Sequence, residues 1–126
     1  MTEFERALYR NPDGDLDTLW WDLVEEHQRV RRPDGRKAPD WAAKIHVATA
    51  PVYYHSYLVG EAIAAQVRRA VRKASGGGIA ENPAAGEWLR TRWFAPGSSH
   101  RWDEHLERAT GAPLDPAHLL EDIGVR

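Results

Sequence analysis

A lysine, two histidines and three tyrosines lie within one short stretch of the sequence, KIHVATAPVYYHSY, which spans residues 44–57. An ammonium group such as that of Lys44 can bind a terminal carboxylate. The imidazole of His46 and the phenols of Tyr53, Tyr54 and Tyr57 can donate hydrogen bonds to a backbone carbonyl, or to the oxyanion that forms when the carbonyl is attacked. The stretch is therefore a candidate site for binding and activating a peptide.

The predicted local structure would bring these groups together in two ways. Lys44 and His46 are separated by one residue, so an extended loop would direct both side chains to the same side. A helix beginning at Pro51 would place Tyr53 and Tyr57 on one face, with the third tyrosine beside them. Tyrosines at helical spacing are also common as half-buried core residues, and a core histidine next to a solvated lysine would give the same pattern. That structural alternative stays open.

The remainder of the chain has helical periodicity and shows no sustained two-residue alternation. We expect an all-α fold, an irregular bundle of about six helices with one long central helix, forming a single helical unit over residues 1–126. The predicted helices run from about Glu3 to Tyr9, from Leu16 to Val30 and from Pro51 to Lys73, and over segments that begin at Pro83, Ser99 and Pro116.

Several residues are predicted to cap these helices. Thr2 followed by Glu5 suggests reciprocal capping of the first helix, in which each side chain accepts a hydrogen bond from an end amide. Asp15 and Asn82 are predicted N-caps of later helices. Gly111 is predicted to end a helix, because glycine readily adopts the left-handed conformation required there. Asp115 is predicted to cap the last helix.

The composition of the chain limits which partners it can bind and in which cellular compartment we expect it. The chain has 17 basic and 19 acidic residues and a net charge of −2. It therefore lacks the overall positive electrostatic potential that would attract nucleic acid or anionic lipid. No apolar run is long enough to span a bilayer, and the N-terminus lacks a signal-peptide pattern. The lack of cysteine excludes disulfides and thiolate chemistry and is compatible with the cytoplasm. We expect a cytoplasmic protein that binds neither nucleic acid nor membranes.

Common catalytic motifs do not occur in the sequence. None of the six histidines is followed by glutamate, which rules out an HExxH zinc helix. His100 and His105 are five residues apart and do not share a helical face well. No GxSxG is present, and the SGGG run is not followed by GK[ST]. We therefore expect no metal ligands and no bound cofactor in this chain.

Three stretches carry a resemblance to a known family: FERALYRNPDGDLDTLWWDLVEEHQ, DWAAKIHVATAPVYYHSYLVGE and GEWLRTRWFAPGSSHRWDEHLERATGAPLDPAHLLEDI. Together they resemble the C-terminal portion of angiotensin-converting-enzyme-like (peptidyl-dipeptidase A) zinc peptidases, and the related oligoendopeptidase F and thimet oligopeptidase group. The most specific part is the K-x-H pair followed by the tyrosine-rich segment. The resemblance implies that this chain is the C-terminal, cleft-forming segment of a larger helical metallopeptidase.

The resemblance also implies roles for individual residues. Tyr57 matches the phenol that hydrogen-bonds the tetrahedral oxyanion, and His46 matches the histidine that holds a substrate carbonyl. Lys44 matches the lysine that receives the C-terminal carboxylate in dipeptide-releasing members. Tyr53 is the expected second tyrosine of the cleft, and Tyr54 is its competitor.

The zinc helix and the downstream glutamate ligand of that family are missing from this sequence. Zinc is therefore expected only in the complete enzyme, peptides are the expected substrates, and this chain should be inactive without the zinc-bearing remainder. Two alternatives are a stand-alone, non-catalytic peptide-binding module and a homo-oligomer that covers the apolar surface of a tryptophan-rich chain.

Overall fold

A computed structural model describes residues 1–125, and within that range it contains seven α-helices and no strand, which confirms the all-α prediction. The α-helices are α1 (Thr2–Arg10), α2 (Leu16–Gln28), α3 (Ile45–Thr49), α4 (His55–Ser75), α5 (Pro83–Trp88), α6 (Trp102–Thr110) and α7 (Ala117–Asp122). A 3₁₀ helix at Asp40–Ala43 precedes α3, and a π-helical segment at Leu89–Phe94 follows α5. None of the described helices combines the length and apolar character needed to cross a membrane.

The chain divides into two compact units, and the boundary falls inside α4, between Tyr57 and Leu58. The first unit contains α1, α2, the 3₁₀ helix, α3 and the start of α4. The second begins at Leu58 and contains the remaining helices. That residues 1–126 act as one functional unit stays a prediction.

The core of the first unit is aromatic. Phe4 of α1 is fully buried, and the ring of Trp20 from α2 meets it edge-on, with centroids 5.4 Å apart. Trp41 of the 3₁₀ helix packs on the same phenylalanine at 5.5 Å. Large aromatic side chains bury much apolar area per residue, so a few of them can form a core in a unit of this size.

Two reciprocal hydrogen bonds attach the 3₁₀ helix to α2. Trp41 donates its indole N–H to Asp17 Oδ1 at 2.8 Å, while Trp21 donates to Asp40 Oδ2 at 3.2 Å. Each element thus supplies one indole donor and one carboxylate acceptor. Since Lys44 follows the 3₁₀ helix directly, these bonds fix where the candidate segment begins.

The second unit has a separate aliphatic core of Val67, Val71, Ala85 and Leu106, which come from α4, α5 and α6. Gln66 is a buried polar residue of this unit and is only 3% exposed. Its amide nitrogen lies 2.9 Å from Thr110 Oγ1 and 3.0 Å from the carbonyl oxygens of both Ala112 and Pro113. Its two N–H groups are shared among these three acceptors.

The predicted caps are confirmed at three positions. Asp15 accepts a hydrogen bond from the Thr18 amide, and this bond is the main cause that lowers the pKa of the Asp15 carboxyl. Asn82 accepts hydrogen bonds from two amides in the first turn of α5. Gly111 ends α6 with a φ of 86°, a left-handed conformation that disfavours residues with a Cβ.

The predicted reciprocal cap of α1 is wrong. Met1 occupies the N-cap position, Thr2 already lies inside the helix, and no side chain caps this end. Glu5 is buried rather than folded back onto the helix start, and its Oε1 has no hydrogen-bond partner among the described residues. The last helix begins at Ala117, and its N-cap residue is Pro116 and not the predicted Asp115. Asp115 still accepts a hydrogen bond from the Ala117 amide, at 2.9 Å.

Several helix boundaries differ from the sequence prediction, among them the start of α6, which lies at Trp102 and not at Ser99. The central helix begins at His55 instead of Pro51, because Pro51 and Val52 form a turn. Val30 lies beyond the end of α2, which stops at Gln28. The predicted helix from Pro83 changes after one and a half turns into the π-helical segment described above.

Candidate functional site

Lys44 and His46 do not lie in an extended loop, so the predicted local structure is wrong at this point. His46 lies on α3, a short helix that the sequence analysis missed, and Lys44 is its extended N-cap residue with φ −82° and ψ 108°. Lys44 lines a cavity together with Trp20 and Trp21 of α2, whereas His46 contacts the tyrosines. The lysine and the imidazole therefore have different neighbours.

A turn between α3 and α4 brings the tyrosines back to His46. Val52 in this turn has a φ of 60°, a left-handed conformation that is unfavourable for a β-branched residue. Tyr53 and Tyr54 follow the turn and precede α4, and only Tyr57 lies within the helix. The predicted helical spacing of Tyr53 and Tyr57 is wrong for this reason.

The central contact of the site joins His46 Nε2 to the Tyr57 hydroxyl at 3.0 Å. The two rings are nearly perpendicular, with centroids 5.5 Å apart. Tyr57 is 53% exposed and His46 is half-buried, so the pair is open to a ligand. The structure brings these two predicted residues together, and their catalytic role stays a prediction.

The other two tyrosines complete an aromatic group around the imidazole. Tyr53 lies parallel to His46, with an interplanar angle of 5° and centroids 6.3 Å apart. Tyr54 meets the imidazole edge-on at 5.2 Å. Both also contact the ring of Tyr57, at 5.6 Å and 5.5 Å respectively. We call His46, Tyr53, Tyr54 and Tyr57 the His–Tyr cluster.

A count of protons shows what this cluster can do. A neutral imidazole carries one N–H and a phenol carries one O–H, and the bond between His46 and Tyr57 uses only one of these two donors. If the imidazole donates to the phenol oxygen, the Tyr57 O–H is free, and if the phenol donates, the imidazole retains a free N–H. In both cases the pair can donate one hydrogen bond to a carbonyl oxygen or an oxyanion.

The residues that surround Lys44 were not predicted from the sequence. The Asp40 carboxylate accepts hydrogen bonds from Arg36 and Trp21, and the bonds from Arg36 are the main cause that lowers the pKa of Asp40. The same pairing raises the pKa of the Arg36 guanidinium. A pair of adjacent tryptophans on a predicted helix was the one available signal, because neighbouring helical positions do not share one face.

The described residues contain no group of three or more His, Asp or Glu side chains that could hold a metal ion. One of the two histidines named above, His105, illustrates this. His105 directs Nε2 toward the carbonyl of Trp93 at 3.0 Å, and its ring packs on that tryptophan with centroids 4.7 Å apart. That imidazole thus has a structural role in the second unit.

Comparison with known proteins gives one result. A family model described as peptidase M2, angiotensin-converting enzyme, matches residues 9–121, which is most of the chain. No match was found among curated protein sequences or among solved structures. The matched range includes the whole His–Tyr cluster and Lys44. The chain therefore belongs to the angiotensin-converting enzyme family of peptidases.

Proposed function

We propose that this chain supplies the substrate-binding and oxyanion-stabilising wall of a zinc metallopeptidase of the angiotensin-converting enzyme type. In this proposal Tyr57 donates a hydrogen bond to the oxygen on which negative charge develops, and His46 holds a backbone carbonyl of the peptide. Because the neutral pair has only one free donor while the two side chains are bonded to each other, His46 donates to the carbonyl when the ligand replaces that mutual bond. Tyr53 and Tyr54 form the aromatic surround that orients both groups. Lys44 binds the C-terminal carboxylate of the peptide.

The observation that carries the proposal is the 3.0 Å contact between His46 Nε2 and the Tyr57 hydroxyl on an accessible surface. A preorganised donor of this kind contributes about 3 kcal/mol of transition-state stabilisation when it faces a developing oxyanion. Uncatalysed peptide hydrolysis requires far more barrier lowering than this. The cluster is therefore suited to assist catalysis, and it needs further groups for hydrolysis.

Zinc is the cofactor of the family. Residues 1–125 do not provide a zinc site, because no suitable group of ligand side chains is present among them. The ligands and the general base would belong to a zinc-bearing remainder, carried on a longer chain or on a partner. In that arrangement peptides are the substrates, and this chain alone does not hydrolyse them.

A fusion experiment tests the proposal. The zinc-helix portion of an angiotensin-converting-enzyme-family peptidase, cut upstream of its own K-x-H segment, is joined to this chain, so that association of two parts is not required. Hydrolysis of a blocked tripeptide is measured with zinc and with a chelator. We expect zinc-dependent hydrolysis by the fusion and none by either part. A folded, zinc-loaded fusion without activity would contradict the proposal, as would activity of the chain alone.

Three finer statements belong to the same proposal. We propose peptidyl-dipeptidase activity for the complete enzyme, supported by the lysine in the K-x-H segment. We also propose kinship with the oligoendopeptidase F and thimet oligopeptidase group, supported by the tyrosine-rich segment. A cytoplasmic location is supported by the lack of cysteine.

The second candidate function is a non-catalytic module that binds peptides or a second copy of itself. It is favoured by large apolar side chains on the surface, among them Leu58 and Phe94, each 66% exposed. Such side chains are typical of surfaces that meet a partner. Metal-independent peptide binding by this chain, without activity in the fusion, would support this alternative.

A further inference from the structure

Tyr57 differs from the other exposed tyrosines in one contact. The exposed fractions of Tyr9, Tyr53 and Tyr57 are nearly equal, at 51%, 50% and 53%. Within residues 1–125, only the Tyr57 hydroxyl lies within hydrogen-bond distance of an imidazole, that of His46 at 3.0 Å. The three phenols are thus similarly open to a reagent, while one of them has a base beside it.

The contact has the geometry of a nucleophile and its general base. Activated nucleophiles in proteins lie about 2.6–3.2 Å from the base that takes their proton, and the separation of 3.0 Å falls within this range. In the tautomer that carries its proton on Nδ1, the imidazole of His46 accepts the hydrogen bond from Tyr57 through Nε2. A neutral phenol is a weak nucleophile, and removal of its proton during the attack makes the oxygen far more reactive.

Aromatic rings hold the imidazole in this position. Tyr53 lies parallel to it, with an interplanar angle of 5°, and Tyr54 meets it edge-on at 5.2 Å. Tyr54 also meets the ring of Tyr57, at 5.5 Å, and is the least exposed of the three tyrosines in the cluster. A base that is itself oriented by a neighbouring group is a further feature of activated nucleophiles.

We propose that Tyr57 is a covalent acylation site, with His46 as its general base, and that aryl esters are the acyl donors. As the Tyr57 oxygen bonds to the acyl carbon, its proton moves to His46 Nε2. The bond between that carbon and the leaving group then breaks, and the leaving group departs with the electron pair as a phenolate. The products are O-acyl-Tyr57 and the imidazolium of His46, which returns its proton to water.

The phenol of Tyr57 sets the class of donor. A tyrosine ester has a phenol as its own leaving group, so acyl transfer to Tyr57 is favourable only from donors whose leaving group is at least as acidic. Aryl esters meet this condition, whereas alkyl esters and peptides do not. The reaction therefore differs from peptide hydrolysis, needs only the two side chains, and does not rest on the proposed peptidase function.

The full chain alone is incubated with p-nitrophenyl acetate, and peptide mass spectrometry follows acetylation at each tyrosine. Tyr9 and Tyr53 are controls within the same molecule, because their exposure matches that of Tyr57. A general base contributes about 100-fold or more in enzyme sites. We expect Tyr57 to be acetylated at least about tenfold faster than either control. Neutral hydroxylamine should remove this label, because it cleaves tyrosine esters and leaves acetylated lysines intact.

Variants assign the two roles. His46→Gln should lower the acetylation rate of Tyr57 to that of Tyr9. His27→Gln, which changes an exposed histidine of α2, should leave the rate at Tyr57 unchanged. Tyr57→Phe should remove the rapid, hydroxylamine-sensitive acetylation. Ethyl acetate, an alkyl ester, should label none of the tyrosines in the wild type.

Two results would overturn the proposal. One is equal acetylation of Tyr57 and Tyr9 in the wild type, a comparison that does not depend on the folding of any variant. The other is an undiminished release of nitrophenolate by Tyr57→Phe with the label on His46, because the imidazole would then be the nucleophile. Since neither zinc nor a second part of an enzyme is involved, failure of this reaction is distinguishable from failure of the fusion experiment.

Discussion

His46 Nε2 and the Tyr57 hydroxyl lie 3.0 Å apart, although eleven positions separate the two residues in the chain. Helical geometry does not produce this contact, because the two residues belong to different helices, α3 and α4. The turn containing Val52 reverses the chain between them. The site therefore depends on a loop conformation as well as on the two side chains.

The first prediction concerns the Tyr57 hydroxyl in the active fusion described above. Tyr57→Phe should lower kcat about 100-fold with little change in KM, because the lost hydrogen bond forms mainly in the transition state. Tyr9→Phe is the matched control, since Tyr9 is a similarly exposed tyrosine on α1. Steady-state kinetics of both variants is the measurement, and equal rates in the two would remove the catalytic assignment.

The second prediction concerns backbone strain at Val52. A β-branched residue at φ 60° is strained by about 1–3 kcal/mol, and asparagine tolerates this region far better. Val52→Asn should therefore raise the free energy of unfolding by about 1 kcal/mol. Its side chain is exposed, so little packing is lost. Urea unfolding is the measurement, with Val30→Asn as the control.

The control distinguishes strain relief from a general effect of removing surface valines. Val30 is half exposed, and its φ is not in the left-handed region. We expect its replacement by asparagine to change the free energy of unfolding by less than about 0.5 kcal/mol. If both variants are stabilised equally, strain at Val52 is not the cause.

The third prediction concerns the buried amide of Gln66. Its nitrogen donates to Thr110 Oγ1 and to the carbonyls of Ala112 and Pro113, and its oxygen accepts from the Asp115 amide at 2.8 Å. One side chain thus holds the segment between α6 and α7 against α4.

Gln66→Leu keeps the size of the side chain but leaves these backbone groups without their partner. We expect a loss of about 1–3 kcal/mol in the free energy of unfolding. Gln28→Leu, at the exposed end of α2, should change it by less than about 0.5 kcal/mol. Urea denaturation decides between the outcomes, and similar losses in both variants would contradict a special role for Gln66.

Local signals in the sequence predicted the fold well. The caps at Asp15, Asn82 and Gly111 each depend on residues within one helical turn, so they can be identified without knowledge of the tertiary structure. The all-α class also follows from periodicity that is visible along the chain.

The site geometry could not be predicted in the same way. A valine in the left-handed region contradicts its own conformational preference, so no sequence rule indicates the turn that brings Tyr53 to His46. The cavity at Lys44 depends on reciprocal bonds between α2 and the 3₁₀ helix, which are tertiary contacts. The sequence identified the correct residues of the His–Tyr contact, but for the wrong geometric reason.

The fourth prediction concerns the pH dependence of stability. Hydrogen bonds from Arg36 are the main cause that lowers the pKa of Asp40 in the folded protein below its ordinary value. A carboxyl with a depressed folded pKa stabilises the protein above its unfolded pKa of about 3.9, and this contribution disappears as the pH falls through the folded value.

Replacing Asp40 by asparagine should therefore flatten the decline in stability below about pH 4. Urea midpoints measured from neutral to strongly acidic pH test this for the wild type and Asp40→Asn. Asp34→Asn is the control, because Asp34 is an exposed aspartate in the loop that precedes the 3₁₀ helix. An acid profile of Asp40→Asn parallel to that of the wild type would contradict the assignment.

The last prediction concerns self-association through the second unit. Phe94 is 66% exposed and borders an apolar groove of about 350 Å³ that is also lined by Ile63, Ile79 and Trp93. Burying such a ring against a second copy would contribute roughly 2 kcal/mol per copy. We expect concentration-dependent dimerisation of the chain, weakened at least about tenfold by Phe94→Ser, whereas Val30→Ser in the first unit should have no effect. Sedimentation at several concentrations is the measurement, and a strict monomer at the highest concentration would exclude self-association.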